Sequence, residues 1–180
     1  MKEILLIIAL TLGMQASLIE ELREECNNQN AKSCNSVAIL YMSQVKQDHV
    51  KAKVYYGKAC DLNYAKGCIG LGNLYYLGQG VEQDYSKAKV YFTKACELAN
   101  SDGCNYLGDL YYTDQWLEYN ASSAELYYDK SCTLGNKKGC GNLKNLRDGN
   151  EEIKRLRDKL ELRKKEQDLL KKEAELLDDI

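Results

Sequence analysis

The sequence predicts an all-α protein, a solenoid of four disulfide-stapled helix hairpins followed by a long charged helix. Three observations predict it. A cysteine followed eight residues later by a second occurs four times, as Cys26/Cys34, Cys60/Cys68, Cys96/Cys104 and Cys132/Cys140, and successive pairs start 34, 36 and 36 residues apart. That period belongs to helix-hairpin arrays rather than to a single globular core. Small and apolar residues recur within it at helical spacing, and the 180 residues include no proline to interrupt a helix.

The chain opens with Met1-Lys2-Glu3 and the apolar run Ile4 to Leu12, then Ala16. A short charged segment, an apolar core and a small residue read as a secretory signal peptide over 1–16. The run is shorter than the roughly 20 residues of a membrane span, so no stable span is expected after its removal. Export into an oxidising compartment is where paired thiols cross-link, which points to a periplasmic or secreted protein.

Alignment on the cysteines makes Ser17, Lys51, Lys87 and Ser123 equivalent starts. The repeats are then 17–50, 51–86, 87–122 and the terminal 123–149, with a tail over 150–180. In the first helix of a unit, Ala52, Tyr56 and Ala59 share one face, as do Ala88, Phe92 and Ala95. The second helix opens at Gly67-Cys68, Gly103-Cys104 or Gly139-Cys140 and carries the stripe Leu71, Leu74, Tyr75, matched by Leu107, Leu110, Tyr111. Ala38, Gly72 and Gly108 are equivalent positions with almost no side chain, suited to close helix approach. Gly78-Gln79-Gly80-Val81 ends a second helix with a left-handed cap and an apolar anchor, and the third unit replaces it with Thr113 to Leu117.

The fourth second-helix keeps Leu143 and Leu146 but has Lys144, Arg147 and Asp148 in place of stacking residues, as a capping repeat should. Gly149-Asn150 marks a boundary. Beyond it Ile153, Leu156, Leu160, Arg163, Gln167, Leu170, Ala174 and Leu177 follow a 3-4 alternation, so the tail is expected as one amphipathic helix able to form a coiled-coil homo-oligomer, with a lone helix as the competing reading.

A cysteine ending one helix and another opening the next face each other across a short turn, within the Cα separation a disulfide needs. The expected bonds are therefore Cys26–Cys34, Cys60–Cys68, Cys96–Cys104 and Cys132–Cys140. Zinc sites gather cysteines at closer spacing with histidine in support, whereas His49, the only histidine, is expected as a solvated residue of an inter-repeat turn. No metal and no cofactor are expected. A net charge of -2 excludes the strongly basic surface of a nucleic-acid binder.

The string carried by Tyr56, Lys58-Ala59-Cys60, Gly67-Cys68, Leu71-Gly72, Leu74-Tyr75, Gly78, Gly80-Val81 and Asp84 resembles the Sel1-like repeat. With two cysteines per unit it is similar to the secreted Helicobacter cysteine-rich protein group. The resemblance covers residues 51 to 112 most closely, is weaker in the first unit, where Glu21 and Glu25 replace tyrosine and alanine, and leaves the tail outside. It implies an α/α superhelix related to tetratricopeptide arrays, and either an adaptor scaffold or a penicillin-binding, β-lactamase-like activity.

A serine β-lactamase needs Ser-x-x-Lys together with Ser-Asp-Asn and Lys-Thr-Gly elements. Ser43/Lys46 and Ser86/Lys89 meet the first, Ser101-Asp102-Gly103 only approximates the second, and the third is absent. The binding reading starts from Lys51, Tyr55 and Lys58, which share a helix face, as do Lys87, Tyr91 and Lys94, and Ser123, Tyr127 and Lys130. Stacked hairpins would align Lys58, Lys94 and Lys130 into a ladder beside tyrosines, a surface for a protein or peptide, or for acidic glycan groups of a cell-wall fragment. The competing reading makes the tyrosines inter-helix packing and the lysines a solvated rim. In the first unit Glu24 interrupts the ladder.

Overall fold

The computed structural model describes residues 17–43, 48–113 and 120–178, with side chains as far as residue 167. Residues 17–27 form α1, and α2 (Ala31–Met42), α3 (His49–Asp61), α4 (Ala65–Leu77), α5 (Tyr85–Glu97), α6 (Ser101–Tyr112), α7 (Ala121–Thr133) and α8 (Lys137–Asp178) follow. The expected signal segment, Lys46 and the loop over 114–119 lie outside the described residues. Two compact units divide the chain, Met1–Cys140 and Gly141–Ile180.

Within the first unit the helices form hairpins joined by short turns, and from α2 to α7 each packs on the next in chain order. Helices α2 and α4 also touch, as do α4 and α6, whereas among the described residues α3 and α5 are not brought together. The second helices of the hairpins therefore make the close-packed side, and the first helices keep an uncovered back.

Each turn repeats one chemical solution. Cα atoms of bonded cysteines lie 4.5 to 4.6 Å apart in all four disulfides. Beside the Cys60–Cys68 bond, Ala59 lies so close to Gly67 that a Cβ there would sit 2.5 Å from Ala59 Cβ, and the same holds for Gly103 against Ala95. The Ala-Cys and Gly-Cys dipeptides thus act as one clasp: the thiols bond while the small residues let the two helix ends meet. The first unit solves the problem differently, since Glu25 and Ser33 occupy these places and the Ser33 hydroxyl hydrogen-bonds the Glu25 carboxylate.

The same register fixes the helix ends. Gln29, Asn63, Ala99 and Gly135, each three residues past the first cysteine of its unit, all have positive φ, between 57° and 88°. The next amide reaches back to the helix, as Tyr64 N–H does to Ala59 O and Asn100 N–H to Ala95 O, which satisfies carbonyls that a helix end leaves open. Asn30, Asn100 and Asn136 then cap α2, α6 and α8 through their side-chain oxygens. Tyr64 holds the equivalent place before α4 without a side-chain cap bond and packs on the cluster of Cys26, Cys34 and Ala59.

Between hairpins, Asp48, Asp84 and Asn120 cap the first helices, accepting from the amides of Lys51, Lys87 and Ser123. Their own amides donate to the carbonyls of Tyr41, Tyr75 and Tyr111, tying each first helix to the preceding second one. Gly78 ends α4 in the left-handed conformation with φ 68°, and Val81 packs on the core of Val37, Ala52 and Leu71. His49 departs from expectation: it is the first residue of α3, half-buried rather than solvated, because Gly80 lets the following loop close over its Cβ and carbonyl.

The small residues of the second helices receive rings more than backbones. A Cβ on Gly72 would lie 2.6 Å from the ring of Phe92, and one on Gly108 would lie 2.4 Å from the ring of Tyr128. Each glycine is the seat for the aromatic residue of the next unit, which explains why Phe92 and Tyr128 are buried to 1% and 3% exposure. Close approach of helices follows from seating the ring.

In the second unit, Leu143 and Leu146 are the last buried apolar residues among the described side chains, and residues 147 to 167 are all exposed. Helix α8 passes through Gly149-Asn150 without a break, since two unfavourable residues, costing about 1 kcal/mol for the glycine, do not outweigh the favourable Lys, Glu, Arg and Leu around them.

Candidate functional site

Tyr55, Tyr91 and Tyr127 each stack on a tyrosine from the end of the preceding second helix. The pairs Tyr41–Tyr55, Tyr75–Tyr91 and Tyr111–Tyr127 have ring centroids 5.8, 5.6 and 5.6 Å apart with planes within 18°. Offset stacking of this kind contributes about 1 kcal/mol beyond area burial. Tyr41 is buried and the other five are half-buried, so the rings join successive hairpins while presenting one edge outward.

Cations border the stacks. Lys51 Nζ lies 5.4 Å from the Tyr41 ring centroid, Lys87 Nζ 5.4 Å from that of Tyr75, and Lys58 Nζ 5.3 Å from that of Tyr55, within cation–π range. At the third stack Ser123 stands where Lys51 and Lys87 stand, and Lys89 from α5 lies 4.6 Å from Tyr111 instead. Arg23 donates to Tyr55 Oη at 3.1 Å and pairs with Glu20 at 2.8 Å. Lys58, Lys94 and Lys130 lie in the last turns of α3, α5 and α7, where positive charge is favoured by the helix dipole.

The charges are partly matched. Lys51 pairs with Asp48 at 2.7 Å and Lys87 with Asp84 at 2.9 Å. The lysine side-chain hydrogen bonds, with help from the lysine amides, hold both carboxyls below their usual range, and both lysines are raised in turn. Burial pushes Tyr91 upward. The structure thus gives Tyr55, Tyr91 and Tyr127, together with Lys51, Lys58 and Lys87, a packing role at the stacks, and still leaves Lys51, Lys58, Lys87 and Lys130 exposed.

The sequence reading set Tyr75 and Tyr111 on the apolar stripe of the second helices but did not pair them with Tyr91 and Tyr127, and it missed Tyr41 as the partner of Tyr55. The signal of Tyr41, Tyr75 and Tyr111 was available: each lies seven residues after the second cysteine of its unit. It also missed a polar junction around Asp109. Tyr128 Oη donates to Asp109 Oδ1 at 2.9 Å, Asn105 donates to Oδ2 at 3.1 Å, and Lys138 Nζ lies 3.6 Å from Oδ2. Burial first, then the neighbouring Asp109 charge, drive the Tyr128 phenol far above its ordinary value.

The serine candidates have other surroundings. Ser43 Oγ donates to the Leu40 carbonyl at 2.7 Å. Ser86 is exposed at the start of α5, and the ammonium of Lys89 faces a tyrosine ring. Ser101-Asp102-Gly103 opens α6, where the Ser101 carbonyl accepts from Ser131 Oγ at 2.8 Å and the Asp102 carboxylate from Asn136 at 2.7 Å. No group of three His, Cys, Asp or Glu side chains among the described residues is placed to hold a metal ion, and no described helix is long and apolar enough to cross a membrane.

The fold is that of a disulfide-stapled helix-hairpin solenoid. A profile of the Sel1 repeat matches residues 31–64, 65–100 and 101–136, and the chain belongs to the Sel1 repeat family. Each match joins the second helix of one hairpin to the first of the next, half a period out of phase with the cysteine-bounded units. HcpC of Helicobacter pylori, a protein whose name proposes a β-lactamase, is 54% identical over 39 residues, which cover 22% of this chain and only 13% of HcpC. The solved structure of Helicobacter pylori cysteine-rich protein B is 31% identical with a TM-score of 0.56, covering 68% of this chain and 95% of that one. A protective antigen of uropathogenic Escherichia coli with an SLR fold is 27% identical with a TM-score of 0.66, covering 72% of this chain and 28% of that one.

Proposed function

We propose that the chain is an exported scaffold that binds a protein or peptide partner on its repeat surface, through Lys51, Tyr55, Lys58, Lys87, Tyr91, Lys94, Tyr127 and Lys130. The observation that carries this reading is the threefold recurrence of a half-buried tyrosine stack bordered by lysine ammonium groups. Aromatic edges beside lysine ammonium groups suit acidic side chains, and the stacked rings cost little ordering on binding. Four disulfides support a periplasmic or extracellular location, because such bonds persist where thiols are oxidised. The repeats over 17–149 then carry recognition, and the tail over 150–180 adds a homo-oligomerisation helix. Replacing Lys58, Lys94 and Lys130 together by glutamate should abolish partner recovery from the exported fraction; unchanged recovery would refute this surface.

The likeness to HcpC is the one observation that favours a second reading, binding or hydrolysis of a β-lactam. Against that reading, the Lys89 ammonium faces the Tyr111 ring and the Ser43 hydroxyl donates to the Leu40 carbonyl. Purified protein is expected neither to hydrolyse nitrocefin nor to be acylated by labelled penicillin, and either event would revive that reading.

A further inference from the structure

The uncovered back of the first helices carries a second in-register pattern. Val54, Lys58 and Leu62 lie at i, i+4 and i+8, so each step turns only about 40° around the helix and the three share one face. Val90, Lys94 and Leu98 repeat the arrangement, and Leu126, Lys130 and Leu134 repeat it again. All six aliphatic side chains stand in solvent, from 36% exposed at Leu62 to 63% at Val90. A single exposed valine needs no explanation; an aliphatic–lysine–aliphatic triad at the same place in three consecutive units does. The first unit lacks it altogether, with Glu20, Glu24 and Asn28 at these positions, all exposed.

We infer that these triads form a docking strip for a polypeptide segment carrying aliphatic and acidic side chains, running across the second to fourth units. The inference rests on the scaffold reading above and names the chemistry of its partner. Charge decides the occupant: the central residue of every triad is a lysine, so the segment must bring carboxylates between its apolar contacts. Lys58 hydrogen-bonds Asn27 at 3.3 Å and, with three donors, can add a carboxylate. Glu20 and Glu24 would repel such a segment, which ends the strip at the first unit. An anionic membrane is the poorer fit, because the strip has no Trp or Tyr of the kind that anchors at bilayer interfaces.

The test uses the oxidised full chain and, as probe, a labelled peptide of alternating leucine and glutamate, followed by fluorescence anisotropy. The wild type should bind it, more weakly as salt is raised, and V54S/V90S/L126S should bind at least about 10-fold more weakly with an unchanged melting temperature. Equal binding by that variant, with loss only in K58E/K94E/K130E, would overturn the strip while leaving the lysine surface standing. Absence of peptide binding by the wild type would overturn it too, as would stronger binding to phosphatidylglycerol vesicles than to the peptide; the capture experiment above then decides the broader reading separately.

Discussion

At the scale of single residues, most of the turn chemistry is determined by one register. The left-handed residue three places past the first cysteine is Gln29, Asn63, Ala99 or Gly135, and Ala99 has neither the freedom of glycine nor the short polar side chain of asparagine to offset a Cβ in that conformation, which costs roughly 1–2 kcal/mol. Ala99→Gly should therefore raise unfolding free energy by about 1 kcal/mol in urea denaturation, and a loss of stability would show that its methyl group matters more than its backbone. The caps give a pH prediction. Asp48 and Asp84 have depressed native pKa values, so the stability they contribute is present above the unfolded value near 3.9 and is lost as pH falls through the lower native value. Asp48→Asn with Asp84→Asn keeps capping, as Asn120 does, and should flatten the acid limb of a melting-temperature profile, giving up at neutral pH only the small part that the exposed Lys51 and Lys87 pairs contribute. Tyr128 works in the opposite sense: its native pKa is raised, so its contribution is full below about pH 10 and fades as pH rises through the native value. Tyr128→Phe, which copies Phe92, should shrink the alkaline decline.

At the scale of elements, a hairpin is a clasp, a cap and a seat for the next ring. Removing one clasp by Cys60→Ser with Cys68→Ser should cost about 2.5 kcal/mol on the loop-entropy estimate, measured as a lower unfolding midpoint. Gly72→Ala should cost about 1–3 kcal/mol, because its Cβ would enter the Phe92 ring. Pairing across each turn was legible in the sequence because both cysteines fall at helix ends eight residues apart, and the structure has those four bonds. Tyr41 with Tyr55 was not legible in that way. Its two members belong to different cysteine-bounded units, so a repeat drawn from cysteine to cysteine separates residues that pack together. His49 was misplaced for a related reason: its loop contact is with Gly80, a residue of the following inter-repeat loop.

At the scale of the molecule, the array was readable because every unit repeats the same solution, and binding chemistry was less so because packing and recognition use the same residue types. Tyr55 and Lys58 join hairpins and border an exposed surface at once, whereas Val54 and Leu62 carry no periodic signal that separates an exposed ladder from a buried one until burial is known. The tail is a separate unit whose exposed Ile153, Leu156 and Leu160 are expected to associate; sedimentation of the full chain should then show an oligomer that a chain ending at Asn150 does not form. The central claim, that recognition resides on the repeats, is tested most directly by quantitative affinity capture from the exported fraction with the full chain, the chain ending at Asn150 and the K58E/K94E/K130E variant side by side. The account predicts the same partner with the first two and none with the third. Recovery by the lysine variant, or recovery that depends on the tail alone, would contradict it.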